Sequence, residues 1–324
     1  MLKVNKKMLD EGLRSTYFRM SLLPLFFRFK WVVKLLNLLD RCFRRVKVLE
    51  GIISEERYIP SSDGTHNSIR VLIFRLEKSD DTLPALLYCH GGGYIMCSPE
   101  QFVDEIVQFI RTRPCVVIVP DYRKSYTKPF PAGFNDCYET LLWAKDNAVE
   151  LNILAKRFVI AGHSAGGGLT AAVTLKARDT QDVDIAFQMP IYPMIDDQQP
   201  EDSSRAIVSP VWDTRMNRIG WGAYLADLHA KGAPIPAYAA PARNRDYRGF
   251  PPTITFVGEL EPFYVETADY VKALQTENID VLYQEYAGCY HGFDTLGGQA
   301  EVSKRAWDFT YQSFAAFYDK YVMT

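Results

Sequence analysis

The chain's sharpest chemical signal is the pentapeptide Gly162-His163-Ser164-Ala165-Gly166. A serine flanked two residues away by glycines can stand on a tight, strained turn, its hydroxyl clear of the backbone and open to an electrophilic carbon. Taken alone, the pentapeptide could also be a glycine loop that binds phosphate or simply turns. About seventy residues upstream lies His90-Gly91-Gly92-Gly93. Attack on a carbonyl leaves negative charge on its oxygen, and consecutive glycines let backbone N–H groups point at that oxygen with no side chain in the way. Together the two motifs point to acyl transfer.

Such groups need rigid elements to hold them. Ala85–His90, Cys115–Tyr122, Phe158–His163 and Ile185–Tyr192 are short apolar runs that predict strands. Gln101–Arg111, Phe134–Asn147 and Ala165–Lys176 predict helices between and after them. The pentapeptide thus falls between a strand and a helix whose first N–H groups face it. Upstream, Arg57–Pro60 and Ser68–Leu76 predict an antiparallel hairpin around Ser62-Asp63-Gly64. Downstream, Thr253–Val257 and Asp280–Tyr286 predict strands, and Val265–Thr276 and Glu301–Lys320 predict helices. Strand–helix alternation of this kind implies an α/β fold with a mostly parallel central sheet of about eight strands, flanked by helices on both faces. The alternation pauses from about residue 196 to 247, around a helical stretch at Trp212–Leu228, which reads as an insertion.

The two motifs in this order resemble the hormone-sensitive lipase family of α/β-hydrolases. Asp121-Tyr122-Arg123, Pro129-Phe130-Pro131-Ala132, Tyr192-Pro193 and Gly249-Phe250-Pro251-Pro252-Thr253 extend the resemblance from about residue 70 to the C-terminus. It implies a serine carboxylesterase acting on short- to medium-chain esters through an acyl-enzyme, with lipase or amidase activity as variants. It also implies that the N–H groups of Gly92, Gly93 and Ala165 form the oxyanion hole and that His90 shapes the glycine loop. A binding protein on the same fold, without catalysis, is the alternative from another class.

Chain order in this fold is nucleophile, acid, histidine. Of the histidines at 66, 90, 163, 229 and 291, only His291 sits in a loop after a late strand, which makes it the expected general base. The acid should follow Thr253–Val257, where Gly258-Glu259-Leu260-Glu261-Pro262 offers two carboxylates. The family places an aspartate before the proline; here Glu261 holds that position and is favoured over Glu259. Either glutamate can accept from the imidazole N–H. The chemistry calls for no metal or organic cofactor.

By the same resemblance, residues 1–50 and an insertion at about 200–240 form a helical cap over a hydrolase core of residues 51–324. Phe18, Leu22, Phe26 and Phe27 from the first, with Trp212, Trp221 and Tyr224 from the second, could line the pocket or pack the cap. Residues 1–50 carry twelve Lys/Arg and four Asp/Glu, a local charge of +8 in a chain of net charge -2. Leu22–Phe27, flanked by Arg19, Arg28 and Lys30, could touch a membrane surface, although a solvated helix face is the plainer reading. Pro24 should break or start a helix. The near-neutral balance carries no nucleic-acid signal. A small-molecule ester is the expected partner, and a homodimer is compatible with the sequence. Six cysteines without metal-site spacing read as reduced thiols, as in a cytoplasmic protein. No apolar run is long enough for a secretory h-region or a membrane span.

Overall fold

The computed structural model describes all residues except 47, 48, 63, 65–67, 80 and 324. Its centre is an eight-stranded sheet. In chain order the strands are β1 (Ile52–Ile59), β2 (Ile69–Leu76), β3 (Ala85–Cys89), β4 (Val116–Pro120), β5 (Phe158–His163), β6 (Ile185–Ile191), β7 (Thr253–Gly258) and β8 (Val281–Tyr286). Across the sheet the order is β8-β7-β6-β5-β3-β4-β2-β1. β1 and β2 are antiparallel to each other, and β2 is antiparallel to β4; the remaining pairs are parallel. β3, β4, β5 and β7 are buried along their whole length, as expected of unbroken apolar runs covered by helices on both faces.

The helices are α1 (Tyr17–Phe27), α2 (Lys30–Phe43), α3 (Val103–Thr112), α4 (Ala132–Asp146), α5 (Ala165–Thr180), α6 (Thr214–Tyr224), α7 (Ala226–Ala230), α8 (Tyr264–Thr276), α9 (Phe293–Leu296) and α10 (Glu301–Phe317). α3 and α10 cover one face of the sheet, where Phe109 meets Phe314 edge-on at 4.9 Å. α4 and α5 cover the other face. Each of these buried rings contributes about 2–3 kcal/mol by leaving water.

Register decides where the chemistry can sit. Cys89 pairs with Gly162, so the glycine loop after β3 and the serine after β5 leave the sheet side by side. Tyr286 pairs with Gly258, so the loops after β7 and β8 leave together at the same edge. All four loops therefore gather at the carboxyl ends of the parallel strands, where ligands bind in open α/β sheets.

Two expectations need correction. The predicted helix at Trp212–Leu228 is two helices, α6 and α7, separated at Leu225. Pro24 neither starts nor ends a helix but lies inside α1. A proline there cannot donate to the carbonyl four residues back. The Met20 carbonyl accepts instead from the Val211 N–H at 3.0 Å, so the vacated bond ties α1 to the segment before α6. A two-residue parallel pairing of Leu2–Lys3 with Ile207–Val208 adds a second tie. β1 also begins five residues before the predicted Arg57, because Ile52–Glu56 pairs with β2 even though it is mostly exposed. Of the predicted turn and its histidine, Asp63 and His66 lie outside the described residues.

Candidate active site

Ser164 follows β5 with φ +61°, a left-handed conformation that costs a non-glycine residue energy and persists only where packing enforces it. The enforcement is visible at Gly166, where an added Cβ would lie 1.9 Å from the Cys89 carbonyl oxygen. That close approach presses the start of α5 against the end of β3 and lifts the serine above the sheet. Further bonds hold the turn: the Ser164 N–H donates to the Ile191 carbonyl at 3.0 Å, and the Ser164 carbonyl accepts from Gly168 and Met194.

The Ser164 Oγ lies 2.8 Å from His291 Nε2. His291 Nδ1 is hydrogen-bonded to Glu261 Oε2, and the other Glu261 oxygen accepts from the Gly258 N–H at 2.9 Å. Ser164, Glu261 and His291 are all buried. The His291 ring is braced edge-on by Tyr192 and Phe263, each with centroids 4.9 Å away. Glu259 points elsewhere: it is exposed, and its carboxylate accepts from the Gly288 N–H at 3.0 Å. Thr16 Oγ1 meets the Tyr290 hydroxyl at 2.7 Å, so the N-terminal segment steadies the loop that carries His291.

Gly92 and Gly93 both have positive φ, +118° and +59°. A Cβ on Gly92 would fall 2.3 Å from the Met96 carbonyl oxygen. Among the described residues, the N–H groups of Gly92 and Gly93 donate to no backbone carbonyl, so they are free for an incoming oxygen. Ala165, the first residue of α5, contributes one of the N–H groups that a helix start leaves unpaired. His90 lies beneath this loop. Its ring stacks on Tyr122 at 4.3 Å, its Nδ1 is 2.8 Å from the Gly91 carbonyl, and Lys124 Nζ is 3.0 Å from its Nε2. Burial, reinforced by the Lys124 charge, holds His90 well below the usual histidine range, so it stays neutral. His163 is also kept neutral, lowered to about 3 by burial and then by His291; its Nδ1 is 2.8 Å from the Tyr88 hydroxyl.

These groups open into a cavity of about 910 Å³. Its apolar lining includes Leu23, Phe27, Met96, Val211 and Trp212. Polar lining residues include Glu105, Asp294, Thr295 and Lys304. The two acids were not legible as site residues. Asp294 accepts from the Tyr192 hydroxyl at 3.0 Å and is raised to about 6, mainly by burial. Glu105 is raised to about 7 by burial. In the sequence, Glu105 looks like any solvated charge on an amphipathic helix; Asp294 at least follows His291 by three positions. Of the aromatic residues proposed for the pocket, Phe27 and Trp212 line it. Trp221 and Tyr224 instead pack on Tyr94, and Phe18, Leu22 and Phe26 face solvent. Among the described residues, no group of three or more His, Cys, Asp or Glu is placed to hold a metal ion, and no helix is long and apolar enough to cross a membrane.

A family model described as the alpha/beta hydrolase fold matches residues 86–295. The carboxylesterase NlhH of Mycobacterium tuberculosis is 29% identical over 250 residues, covering 76% of this chain and 77% of that protein. An arylesterase of Saccharolobus solfataricus is 28% identical over 210 residues, covering 64% of this chain and 67% of its own length. Among solved structures, a bacterial heroin esterase superposes with a TM-score of 0.85 at 27% identity, covering 97% of this chain and 99% of its own.

Proposed function

The chain belongs to the α/β-hydrolase fold family, in its hormone-sensitive-lipase-like group, and from that premise we propose that Ser164, His291 and Glu261 hydrolyse carboxylic esters through an acyl-enzyme. The protein is an ester hydrolase, as its carboxylesterase and esterase relatives are. The observation that carries the residue roles is the 2.8 Å contact between Ser164 Oγ and His291 Nε2. His291 takes the serine proton as Oγ attacks the ester carbon, and Glu261 fixes the ring with Nε2 facing the serine and stabilises the imidazolium. The developing oxyanion rests on the N–H groups of Gly92, Gly93 and Ala165, where one donor is worth about 3–4 kcal/mol in the transition state. His291 then protonates the leaving alcohol, and a water repeats the sequence to release the acid.

Residues 1–50 and the insertion at about 200–240 serve as the cap in this reading, supported by Leu23, Phe27 and Trp212 in the cavity wall. The apolar side chains of the lining suit an acyl chain of short to medium length. Free cysteines at all six positions are compatible with a cytoplasmic setting. The test is a p-nitrophenyl ester series from two to twelve carbons with the full chain, paired with fluorophosphonate labelling. Ser164→Ala should lose on the order of 10⁴-fold or more in kcat and take up no label. Native protein that turns over no ester and whose Ser164 stays unlabelled would make it a binder on this fold.

A further inference from the structure

Residues 17–43 are built inside out. On α1, Phe18, Leu22, Leu25 and Phe26 recur at one-face helical spacing, joined by Phe29 in the link between α1 and α2, and all are exposed. On α2, Trp31, Leu35, Leu38 and Leu39 do the same. Trp31 and Phe18 are 66% and 70% accessible, so these are open side chains rather than edges of a core. A helix on a water-soluble body normally turns such a stripe inward. Here α2 is held down by the fully buried Val33 and by polar groups. Asn37 donates to the Ile95 carbonyl at 2.8 Å, and Asp40 accepts from Ser98 and Gln101, each at 3.0 Å. An exposed apolar area of this kind marks a surface that meets something.

Charge says what. Asp40 is the only acid on either helix, and those bonds turn it to the body. Lys30, Lys34 and Arg41 recur at one-face spacing beside the apolar stripe and are exposed, as is Arg19 on α1. A second copy of the chain would bring these cations against themselves. An anionic lipid surface would neutralise them while taking the apolar side chains into the boundary between headgroups and acyl chains. The site is continuous with this face: Leu23 and Phe27 of α1 line the catalytic cavity, and Phe27, Met96, Cys97 and Gln101 are shared with a second cavity of about 480 Å³ that reaches Leu36 and Leu39 of α2.

We infer that the α1–α2 face docks on an anionic phospholipid surface, with the mouth of the catalytic cavity held against the lipid. Docking itself does not depend on the esterase reading; delivery of an ester from the membrane to Ser164 does. The experiment is co-sedimentation of the full chain with phosphatidylcholine vesicles and with vesicles containing about 30% phosphatidylserine, at about 50 mM and about 500 mM salt. Binding should require the anionic lipid and weaken at high salt. Trp31→Glu with Leu35→Glu should cut binding to anionic vesicles by about tenfold or more, and so should Lys34→Glu with Arg41→Glu. Turnover of a soluble short-chain ester should stay within about twofold in each variant, which reports that the fold and site are intact. Absence of binding to anionic vesicles at low salt overturns the proposal. So does a wild-type dimer, seen by light scattering, that Trp31→Glu with Leu35→Glu splits without any vesicle binding; the face would then be a contact between copies. Loss of ester turnover in Ser164→Ala with vesicle binding retained would keep docking and catalysis separate.

Discussion

Among single residues, the two glutamates after β7 make the sharpest contrast, because chemically equal groups two positions apart meet different partners. Glu261 is buried on His291, while Glu259 is exposed and bonded to Gly288. Glu261→Gln should keep the fold and lower kcat by roughly 10²–10⁴-fold, since an amide cannot stabilise the imidazolium and can select the wrong tautomer. Glu259→Gln should leave kcat within about twofold. Steady-state kinetics on a soluble ester separates them, and equal losses in both variants would remove the assignment of the acid. The sequence favoured Glu261 through its place before a proline, and Ser164 and His291 through their neighbours and chain order. Glu105 offered no comparable signal. A glutamate in an amphipathic helix is nearly always solvated, and only the packing of α3 against α10 reveals that this one is buried.

Whole elements obey a similar division. β3, β5 and β7 were legible because a strand buried on both faces must be a short unbroken apolar run, and their ends set where the site loops begin. The apolar run Leu22–Phe27 was legible in the sequence, yet composition does not state which way it faces. On α2 the apolar side chains face outward while Val33, Asn37 and Asp40 anchor the opposite side, and no local pattern announces it. At the elbow, element contact and catalytic geometry are one feature. Gly166→Ala would place a methyl group 1.9 Å from the Cys89 carbonyl oxygen, where backbone rather than a flexible side chain must yield. β3 and α5 would have to separate, costing about 3 kcal/mol or more and displacing Ser164 from His291. Urea unfolding should show the lost stability and kinetics the lost kcat. Unchanged values for both would mean that the elbow does not depend on this contact.

Over the molecule as a whole, the buried acids make stability depend on pH in an unusual direction. Glu266 receives N–H bonds from Ile195 and Asp196 on one oxygen while the other has no hydrogen-bond partner among the described residues, and burial raises it well above the ordinary glutamate value. Glu105 and Asp294, raised to about 7 and about 6 by burial, behave alike. A carboxyl group that holds its proton more tightly when folded than when unfolded contributes most below its unfolded value, near 4. That contribution fades as pH rises and is gone above the folded value. Between about pH 4.5 and 7, Glu105 and Asp294 should therefore each withdraw on the order of 1–3 kcal/mol. Asp121 has the opposite sign. Burial works to raise it, but Lys124 and Arg44 hold it well below the usual aspartate range, so its contribution is lost on acidification. The melting temperature should then peak near pH 5 and fall by pH 8, with Glu105→Gln recovering part of the fall at pH 8 and changing little at pH 4.5. Differential scanning fluorimetry across that range tests it, and a melting temperature that climbs steadily from pH 5 to 8 would contradict it. Because the loss comes from ionisation of buried acids, Glu105→Gln should extend on the alkaline side the range in which the fold holds.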